Sequence, residues 1–339
     1  MEHKTRIKGN VHYVGVNDRN KHRFEGMWPL PYGVSYNSYL IDDEMVALVD
    51  TVDICYFEVY LRKIKQVIGE RPINYLIINH MEPDHSGSIR LIKQHYPEII
   101  IVGNKQTFGM IEGFYGVTGE QYLVKEGDFL ALGHHKLRFY MTPMVHWPET
   151  MMTFDETDGV LFSGDGFGCF GTVDGGFLDT RINVDKYWGE MVRYYSNIVG
   201  KYGSPVQKAL QKLGGLPISA ICSTHGPVWT ENIAKVIGIY DRLSRYDADE
   251  GVVIAYGSMY GNTEQMAEAI AEELSAQGVK NIVMHNVTKS HPSYIIADIF
   301  RYKGLIIGSP TYSNQIFPEV EALLSKILLR EVKGRYLGY

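Results

Sequence analysis

The sequence predicts an α/β protein of two domains, in which two β-rich layers with helices outside them are followed by a doubly wound parallel sheet. The length of 339 residues suits two domains at about 150 residues each. Apolar, β-branched runs of strand length recur throughout residues 1–249, with helical patterns interspersed. After residue 250 strands and helices alternate, which is typical of a parallel sheet. We therefore place the domains at 1–249 and 250–339.

Composition and charge disfavour several function classes. The net charge is −6, and no block of Lys and Arg is long enough to follow a nucleic-acid backbone, so nucleic acid is not an expected partner. The N-terminal residues have no apolar stretch behind their basic side chains, and no run approaches the ~20 apolar residues of a membrane helix. We therefore expect a cytoplasmic protein that does not bind membranes. The 3 cysteines are widely spaced, so a disulfide framework is not expected.

The first domain opens with strands. Residues 11–16, 37–42 and 45–50 alternate or cluster apolar residues as strands do, whereas residues 57–70 carry apolar side chains on one helical face. Residues 74–79 form an apolar strand of β-branched character. Further strands are predicted at 99–102, 121–124, 137–141, 151–154, 160–162 and 218–222, and helices at 86–95, 183–199 and 204–213.

Four metal-binding side chains lie close together directly after the strand at 74–79. They are His80, Glu82, Asp84 and His85, in the segment HMEPDH. The following helix has Ser86 or Ser88 as its expected N-cap, so the four lie on a loop at the carboxyl end of a strand. Charges this close would repel one another and lose hydration unless a cation collected them. One buried histidine is often structural, whereas four such side chains together predict a metal site.

Three further candidate ligands follow predicted strands later in the chain. They are His146, Asp165 and His225. A polar residue at the end of a single strand is often only a turn residue. Because all three repeat the strand-then-turn context of the first cluster, we expect them to join the same site.

The pattern HxExDH, followed by His146, Asp165 and His225, resembles the metallo-β-lactamase-like domain of the flavo-diiron proteins, also called A-type flavoproteins. The resemblance implies an αββα sandwich and two iron ions. On this likeness the first iron is bound by His80, Glu82 and His146, the second by Asp84, His85 and His225, and Asp165 bridges them. Most hydrolases of this fold have histidine where this chain has Glu82. Since carboxylates favour harder ions and redox iron over zinc, Glu82 indicates iron.

The second domain contains a candidate phosphate-binding loop. A polar linker is expected at 242–250, followed by a buried strand at 252–256. Residues 257–263, GSMYGNT, then lead into a helix at 264–277. Hydroxyl and backbone N–H groups at a helix N-terminus form a phosphate cradle, and a plain strand-to-helix turn is the alternative. The dinucleotide signature GxGxxG is absent, which disfavours NAD as the resident cofactor.

Strands at 281–287 and 305–308 continue a βαβαβ order, and residues 308–314, GSPTYSN, are expected to open the next helix. This order, with SxxGNT and GSPTY, resembles flavodoxin. On that likeness the FMN phosphate is held by Ser258, Met259, Gly261, Asn262 and Thr263, and the flavin ring is flanked by Pro310, Thr311, Tyr312 and Asn314. The sequence ends at RYLGY, where a fourth of five strands would begin. The flavodoxin-like half is therefore expected to be partial: either the sequence is a piece of a longer protein, or this half holds FMN poorly.

Other conspicuous residues have two interpretations each. Tyr194 and Tyr195 are candidate catalytic residues, because the family places a tyrosine near the diiron site in this region, and helix core is the alternative. Trp147, beside His146, is expected to shield the site or contact flavin, with packing as the alternative. His134 and His135 follow a glycine between strands and are expected to form an exposed turn, with a pair of metal ligands as the alternative.

The resemblance implies an oxidoreductase that reduces O₂ to water, NO to N₂O, or both. FMN would receive electrons from a rubredoxin, a flavoprotein reductase or a deazaflavin and pass them to the irons. The family assembles as a head-to-tail homodimer in which the flavin of one chain lies near Glu82 and Trp147 of the other. A tetramer is the alternative, larger assembly. A binuclear-metal hydrolase of the same fold is the alternative function. A binding module without redox activity is the third candidate function.

Overall fold

The computed structural model describes residues 5–339, which form two compact units. The first unit contains residues 5–22, 30–191 and 205–238. The second contains residues 23–29, 192–204 and 239–339. The second unit thus includes short segments that precede residue 250. The boundary between 249 and 250 stays a prediction.

The strands, in chain order, are β1 (Arg6–Lys8), β2 (Val11–Tyr13), β3 (Val16–Asp18), β4 (Arg23–Phe24), β5 (Trp28–Pro29), β6 (Val34–Tyr36), β7 (Tyr39–Ile41), β8 (Ala47–Val49), β9 (Tyr75–Ile77), β10 (Ile100–Gly103), β11 (Gln121–Leu123), β12 (Phe129–Ala131), β13 (Lys136–Met141), β14 (Met151–Asp155), β15 (Val160–Gly164), β16 (Ala220–Ser223), β17 (Asp249–Tyr256), β18 (Ile282–Asn286), β19 (Tyr302–Gly308), β20 (Thr311–Tyr312), β21 (Gln315–Ile316) and β22 (Tyr336–Gly338). The α-helices are α1 (Phe57–Ile68), α2 (Pro83–Ser86), α3 (Ile89–His95), α4 (Lys105–Tyr115), α5 (Asp185–Tyr194), α6 (Gly203–Leu213), α7 (Ile233–Ser244), α8 (Asn262–Ala276), α9 (Pro292–Arg301) and α10 (Pro318–Leu328). A π-helical turn, Tyr195–Val199, continues α5.

Two sheets face each other in the first unit. One has the order β1-β2-β7-β8-β9-β10-β11 and is parallel from β8 to β11. The other runs from β12 to β16 and is parallel only between β15 and β16. A single hydrophobic core contains side chains of both sheets, among them Val49, Ile77, Phe139 and Phe162. The predicted two-layer sandwich is confirmed.

The candidate metal loop follows β9 and turns directly into α2. Asp84 and His85 therefore lie on a short helix, where a loop was predicted. Ser88 is the N-cap residue of α3, as one of the two predicted alternatives states, but its hydroxyl makes no capping hydrogen bond. The hydroxyl of Ser88 instead donates a hydrogen bond to the carbonyl of Val52, and that of Ser86 donates to the carbonyl of Met81 in the same turn, each at 2.8 Å. These bonds stabilise the turn that carries the candidate ligands.

The second unit contains a parallel sheet of the order β18-β17-β19-β22. Val253 and Ala255 of β17 pack with α9 and α10 in one cluster, whereas Ile254 and Tyr256 pack with α8 in another. Alternate residues of one strand thus face opposite layers of helices, as a doubly wound sheet requires. None of the helices in residues 5–339 combines the length and apolar content that crossing a membrane requires.

Two expectations for the second half are wrong. The polar linker is shorter than predicted, because α7 continues to Ser244 and β17 begins at Asp249. Residues 308–314 do not open a helix, because β20 and β21 form a hairpin whose turn residues, Ser313 and Asn314, have positive φ angles. Positive φ angles at both turn residues give a two-residue turn whose twist matches the twist of the two strands that it joins. The next helix begins only at Pro318.

Candidate functional site

All seven predicted metal ligands converge in one buried cluster of the first unit. They are His80, Glu82, Asp84, His85, His146, Asp165 and His225. None of them is more than 7% exposed. The cluster forms because β9, β15 and β16 end at the same side of the sandwich, so the turns after them bring distant residues together.

The cluster has two halves. In the first, Nε2 of His146 lies 3.1 Å from Oε2 of Glu82 and 3.3 Å from Nε2 of His80. In the second, Nε2 of His225 lies 3.2 Å from Oδ2 of Asp84, whose Oδ1 lies 3.5 Å from Nε2 of His85. The ε-nitrogens and carboxylates of each half thus point to a common centre, as the ligands of one metal ion do.

Asp165 lies between the two halves. Its Oδ2 is 3.0 Å from His146 and 3.5 Å from His80. Its Oδ1 is 3.2 Å from His85 and 3.6 Å from His225. One oxygen faces each half, which is the geometry that a bridging carboxylate needs.

The cluster stabilises positive charge. Burial lowers the pKa of His146, but Asp165 and Glu82 raise it by more, so the net pKa lies well above the ordinary value. In the same way burial lowers the pKa of His85, whereas Asp84 and Asp165 raise it to about 10. Burial raises the pKa of Glu82, but hydrogen bonds with the histidines lower it far more. Cations would compete with protons for this pocket.

The donor atoms fit a pair of metal ions. Both carboxylate oxygens of Asp84 and both ring nitrogens of His85 are buried and have no well-oriented hydrogen-bond partner among residues 5–339. Buried polar groups of this kind are costly unless a cation or water satisfies them. Imidazole nitrogens combined with carboxylate oxygens suit iron in histidine–carboxylate sites. The residues present therefore fit two iron ions.

The candidate flavin loops lie at the carboxyl ends of β17 and β19, which are neighbours in the sheet. β17 also pairs with β18 on its other side, so the chain order reverses between β17 and β19. A doubly wound sheet binds ligands at this switch point. The backbone N–H of Gly257 donates to the carbonyl of Gly308 at 2.9 Å, which joins the starts of the two loops.

The first loop has the features of a phosphate cradle. Oγ of Ser258 accepts a hydrogen bond from the backbone N–H of Gly261 at 3.1 Å. Gly261 has a φ of 92°, a conformation that favours glycine, and a side chain at this position would meet no atom within 4 Å. Within the described residues no side chain caps the N-terminus of α8. Backbone N–H groups are therefore available for a phosphate, and the loop fits FMN.

The sequence matches two families along the chain. Residues 34–226 match the ODP family beta lactamase, and residues 254–335 match flavodoxin. The chain is 33% identical, over 95% of its length, to an anaerobic nitric oxide reductase flavorubredoxin from Vibrio vulnificus, of which it covers 66%. It is 32% identical to the flavorubredoxin of Escherichia coli, again over 95% of its length and covering 68% of that protein.

Solved structures agree with these matches. The chain superposes with a TM-score of 0.94 on rubredoxin oxygen:oxidoreductase from Desulfovibrio gigas, at 31% identity, covering 98% of this chain and 84% of that one. It superposes with a TM-score of 0.93 on the flavodiiron protein from Giardia intestinalis, at 28% identity, covering 97% of this chain and 80% of that one. The chain belongs to the flavo-diiron protein family.

Membership of the flavo-diiron family implies a non-haem diiron site and FMN, and the residues present fit both groups. The chain spans about two thirds of the length of the curated relatives that it matches. In this flavo-diiron protein the candidate metal ligands lie at strand ends of the first unit. The candidate flavin loops lie at strand ends of the second unit. Their individual roles stay predictions.

Several residues that support the metal cluster were not predicted from the sequence. Oδ1 of Asp50 accepts the backbone N–H of Asn79 at 2.8 Å and that of His80 at 3.4 Å. Oε1 of Glu149 lies 2.6 Å from Nδ1 of His80. Thr224 donates to Asp165. A usable signal did exist, since Asp50 follows a strand and Glu149 and Thr224 are close in sequence to predicted ligands.

Trp147 contacts a candidate metal ligand, whereas Tyr194 and Tyr195 are packed among other side chains. The ring of Trp147 meets that of His80 edge-on, with centroids 5.2 Å apart. Tyr194 and Tyr195 are fully buried, and Tyr195 packs against Tyr240 at a centroid distance of 5.0 Å. The catalytic role of both tyrosines stays a prediction.

The predicted exposed turn at His134 and His135 is half wrong. His134 is exposed, whereas His135 is 1% exposed and its Nδ1 lies 2.9 Å from Oδ2 of Asp155. The turn places consecutive side chains on opposite sides, so that one of the two enters the sandwich.

Proposed function

We propose that this flavo-diiron protein reduces O₂ to water, NO to N₂O, or both. The names of the relatives support both gases, since the curated relatives are nitric oxide reductases and the Desulfovibrio gigas neighbour is an oxygen oxidoreductase. Two bound irons would supply electrons to the gas, and bound FMN would relay those electrons from a donor.

The observation that carries this proposal is the position of Glu82. Its Oε2 lies 3.1 Å from Nε2 of His146 and 3.7 Å from Nε2 of His80. A carboxylate therefore occupies the place where most hydrolases of this fold have histidine. It shifts the first position from a zinc-like, nitrogen-rich set toward a site for iron.

The chain's own residues have distinct roles in this proposal. His80, Glu82 and His146 hold the first iron, Asp84, His85 and His225 hold the second, and Asp165 bridges them. Of these seven residues only Glu82, Asp84 and His146 are more than 1% exposed, at 6–7%. A cluster this deeply buried suits a diatomic gas better than a lactam or thioester. Trp147 covers His80 and limits the entry of water, and Tyr194 and Tyr195 are assigned a catalytic role.

The second unit binds FMN in this proposal. Ser258, Met259, Gly261, Asn262 and Thr263 hold the phosphate, and Pro310, Thr311, Tyr312 and Asn314 flank the ring. Tyr312 is 50% exposed, which leaves its ring accessible to a flavin. A rubredoxin, a flavoprotein reductase or a deazaflavin is the electron donor. The protein acts in the cytoplasm as a head-to-tail homodimer, alone or paired into a tetramer.

The decisive experiment measures metal content, flavin content and gas consumption together. The protein is expressed with iron available, loaded with FMN, and reduced by a chemical donor while O₂ or NO is followed with an electrode. We expect roughly two irons per chain and consumption of at least one gas. The matched control is the same protein loaded with zinc, which should consume neither. An iron-loaded, FMN-loaded protein that consumes neither gas, or a zinc-loaded protein that hydrolyses a lactam or thioester efficiently, favours the hydrolase.

A further inference from the structure

The two halves of the metal cluster differ in the groups behind their histidines. Nδ1 of His80 lies 2.6 Å from Oε1 of Glu149. Nδ1 of His225 instead lies 2.7 Å from the backbone carbonyl of Ser35. Nδ1 of His85 has no hydrogen-bond partner among the residues that the structure describes. The Nδ1 atom of His80 therefore faces a carboxylate at hydrogen-bond distance, whereas that of His225 faces a neutral carbonyl. The buried carboxylate of Asp50 acts on both halves, through His80 and His85.

Glu149 is held rigidly in this position. Its side chain is completely buried, and Oε1 also accepts the backbone N–H of Met81 at 2.9 Å. Its own carbonyl accepts a hydrogen bond from Nδ2 of Asn104 at 2.5 Å. Because Met81 lies between His80 and Glu82, a single carboxylate oxygen fixes both the ring of His80 and the turn that presents Glu82. Without solvent to screen it, the charge acts strongly on its neighbours.

We propose that Glu149 is a positioning residue that makes the His80 half the more electron-rich of the two metal positions, an inference that rests on the proposed diiron function. The hydrogen bond places the proton on Nδ1, so Nε2 presents its lone pair to the metal. The adjacent negative charge strengthens that donation and stabilises the higher oxidation state of the metal. An iron held by His80 would therefore be the harder of the two to reduce, and the other position would have the higher reduction potential.

The test uses Glu149→Gln, which keeps the side-chain shape and an oxygen that accepts both hydrogen bonds but removes the charge. Affinity of the apoprotein for Fe(II) and for Co(II) is measured by competition with a chelator, and a loss of roughly 10–100-fold is expected for one ion of the two. The midpoint potentials of the irons are measured by redox titration followed by electron paramagnetic resonance. One potential should rise and the other stay nearly constant. Glu149→Asp keeps the charge at a greater distance and should give intermediate values.

The matched control is Asp155→Asn, which alters another buried carboxylate paired with a histidine in the same unit. It should lower thermal stability without moving metal affinity or potential. The inference is overturned if both Glu149 variants retain the affinity and potentials of the unaltered protein, or if Asp155→Asn changes them equally. Failure of the proposed function looks different: the Glu149 variants would still lose affinity for Co(II), while the iron-loaded, FMN-loaded protein would consume neither gas.

Discussion

The hydroxyl of Thr224 donates a hydrogen bond to Oδ1 of Asp165 at 2.5 Å. The two residues follow β15 and β16, which are parallel neighbours, so their turns leave the sheet side by side. The bond restrains the rotation of the carboxylate and keeps its Oδ2 directed toward His146. Thr224 thereby supports the orientation that bridging requires.

Replacing Asp165, the proposed bridging carboxylate, should lower metal occupancy at both positions. Asp165→Asn keeps the size of the side chain but removes the charge that two cations would share, so occupancy should fall at both positions. Elemental analysis after dialysis measures this. Thr224→Val is the graded comparison: it removes only the supporting hydrogen bond and should weaken metal binding by about tenfold or less. An Asp165→Asn protein with two metals per chain would show that this residue does not bridge.

Glu82→His should convert the first position toward zinc. The substitution replaces the carboxylate near His80 and His146 with a third imidazole, which favours zinc over iron. The zinc-to-iron ratio should rise after expression with both metals present, and gas consumption should fall. Glu70→Gln, a change of an exposed carboxylate, is the control. If Glu82→His retains its iron content and turnover, Glu82 does not select the metal.

Ser258→Ala should weaken FMN binding by roughly tenfold. The hydroxyl bonds to the N–H of Gly261 and orients the cradle, and one such hydrogen bond is worth about 1 kcal/mol. Fluorescence titration of the apoprotein with FMN measures the change. Ser275→Ala, in the last turn of the same helix α8, should bind FMN like the unaltered protein. Equal affinities for both variants would place the phosphate elsewhere.

Complementation between defective chains tests the proposed head-to-tail dimer. A chain with His146→Ala lacks a metal ligand, and a chain with Ser258→Ala and Thr263→Ala lacks the phosphate cradle. If the flavin of one chain serves the irons of the other, mixed dimers regain one working site of two. Activity is compared before and after subunit exchange, which is monitored by native mass spectrometry. Proven exchange without recovery of activity would mean that electrons pass within one chain.

The pair of His135 and Asp155 should make stability depend on pH. Burial lowers the pKa of His135, but the hydrogen bond and charge of Asp155 raise it by more, so the net pKa is raised. This contribution is therefore fully present below the unfolded value of about 6.5 and is lost as the pH rises through the folded value. Asp155→Asn should cost about 1–3 kcal/mol near pH 6 and less near pH 9. Urea unfolding across this range measures it, and a pH-independent loss would contradict the assignment.

The sequence by itself predicted most of the element types, the seven candidate ligands and the candidate phosphate-binding loop. These features are local: a strand, a turn and the first residues after it lie within about ten positions, so periodicity and residue chemistry predict them. The segment HMEPDH is of this kind, and so is the turn that contains Ser258 and Gly261. The sequence did not predict that Ser88, the N-cap residue of α3, directs its hydroxyl to the distant carbonyl of Val52 instead of to the start of the helix.

Only the tertiary structure decided which side chains stand behind the ligands. Ser35 and His225 are separated by 190 positions, and His80 and Glu149 by 69. Their contacts depend on how the two sheets of the first unit pair and face each other, and no local pattern encodes that register. The burial of His135 beside exposed His134 has the same origin, because the sheet determines which of two adjacent side chains enters the core. Residue types predict which groups can bind a metal, whereas packing sets the charge and orientation with which they do so.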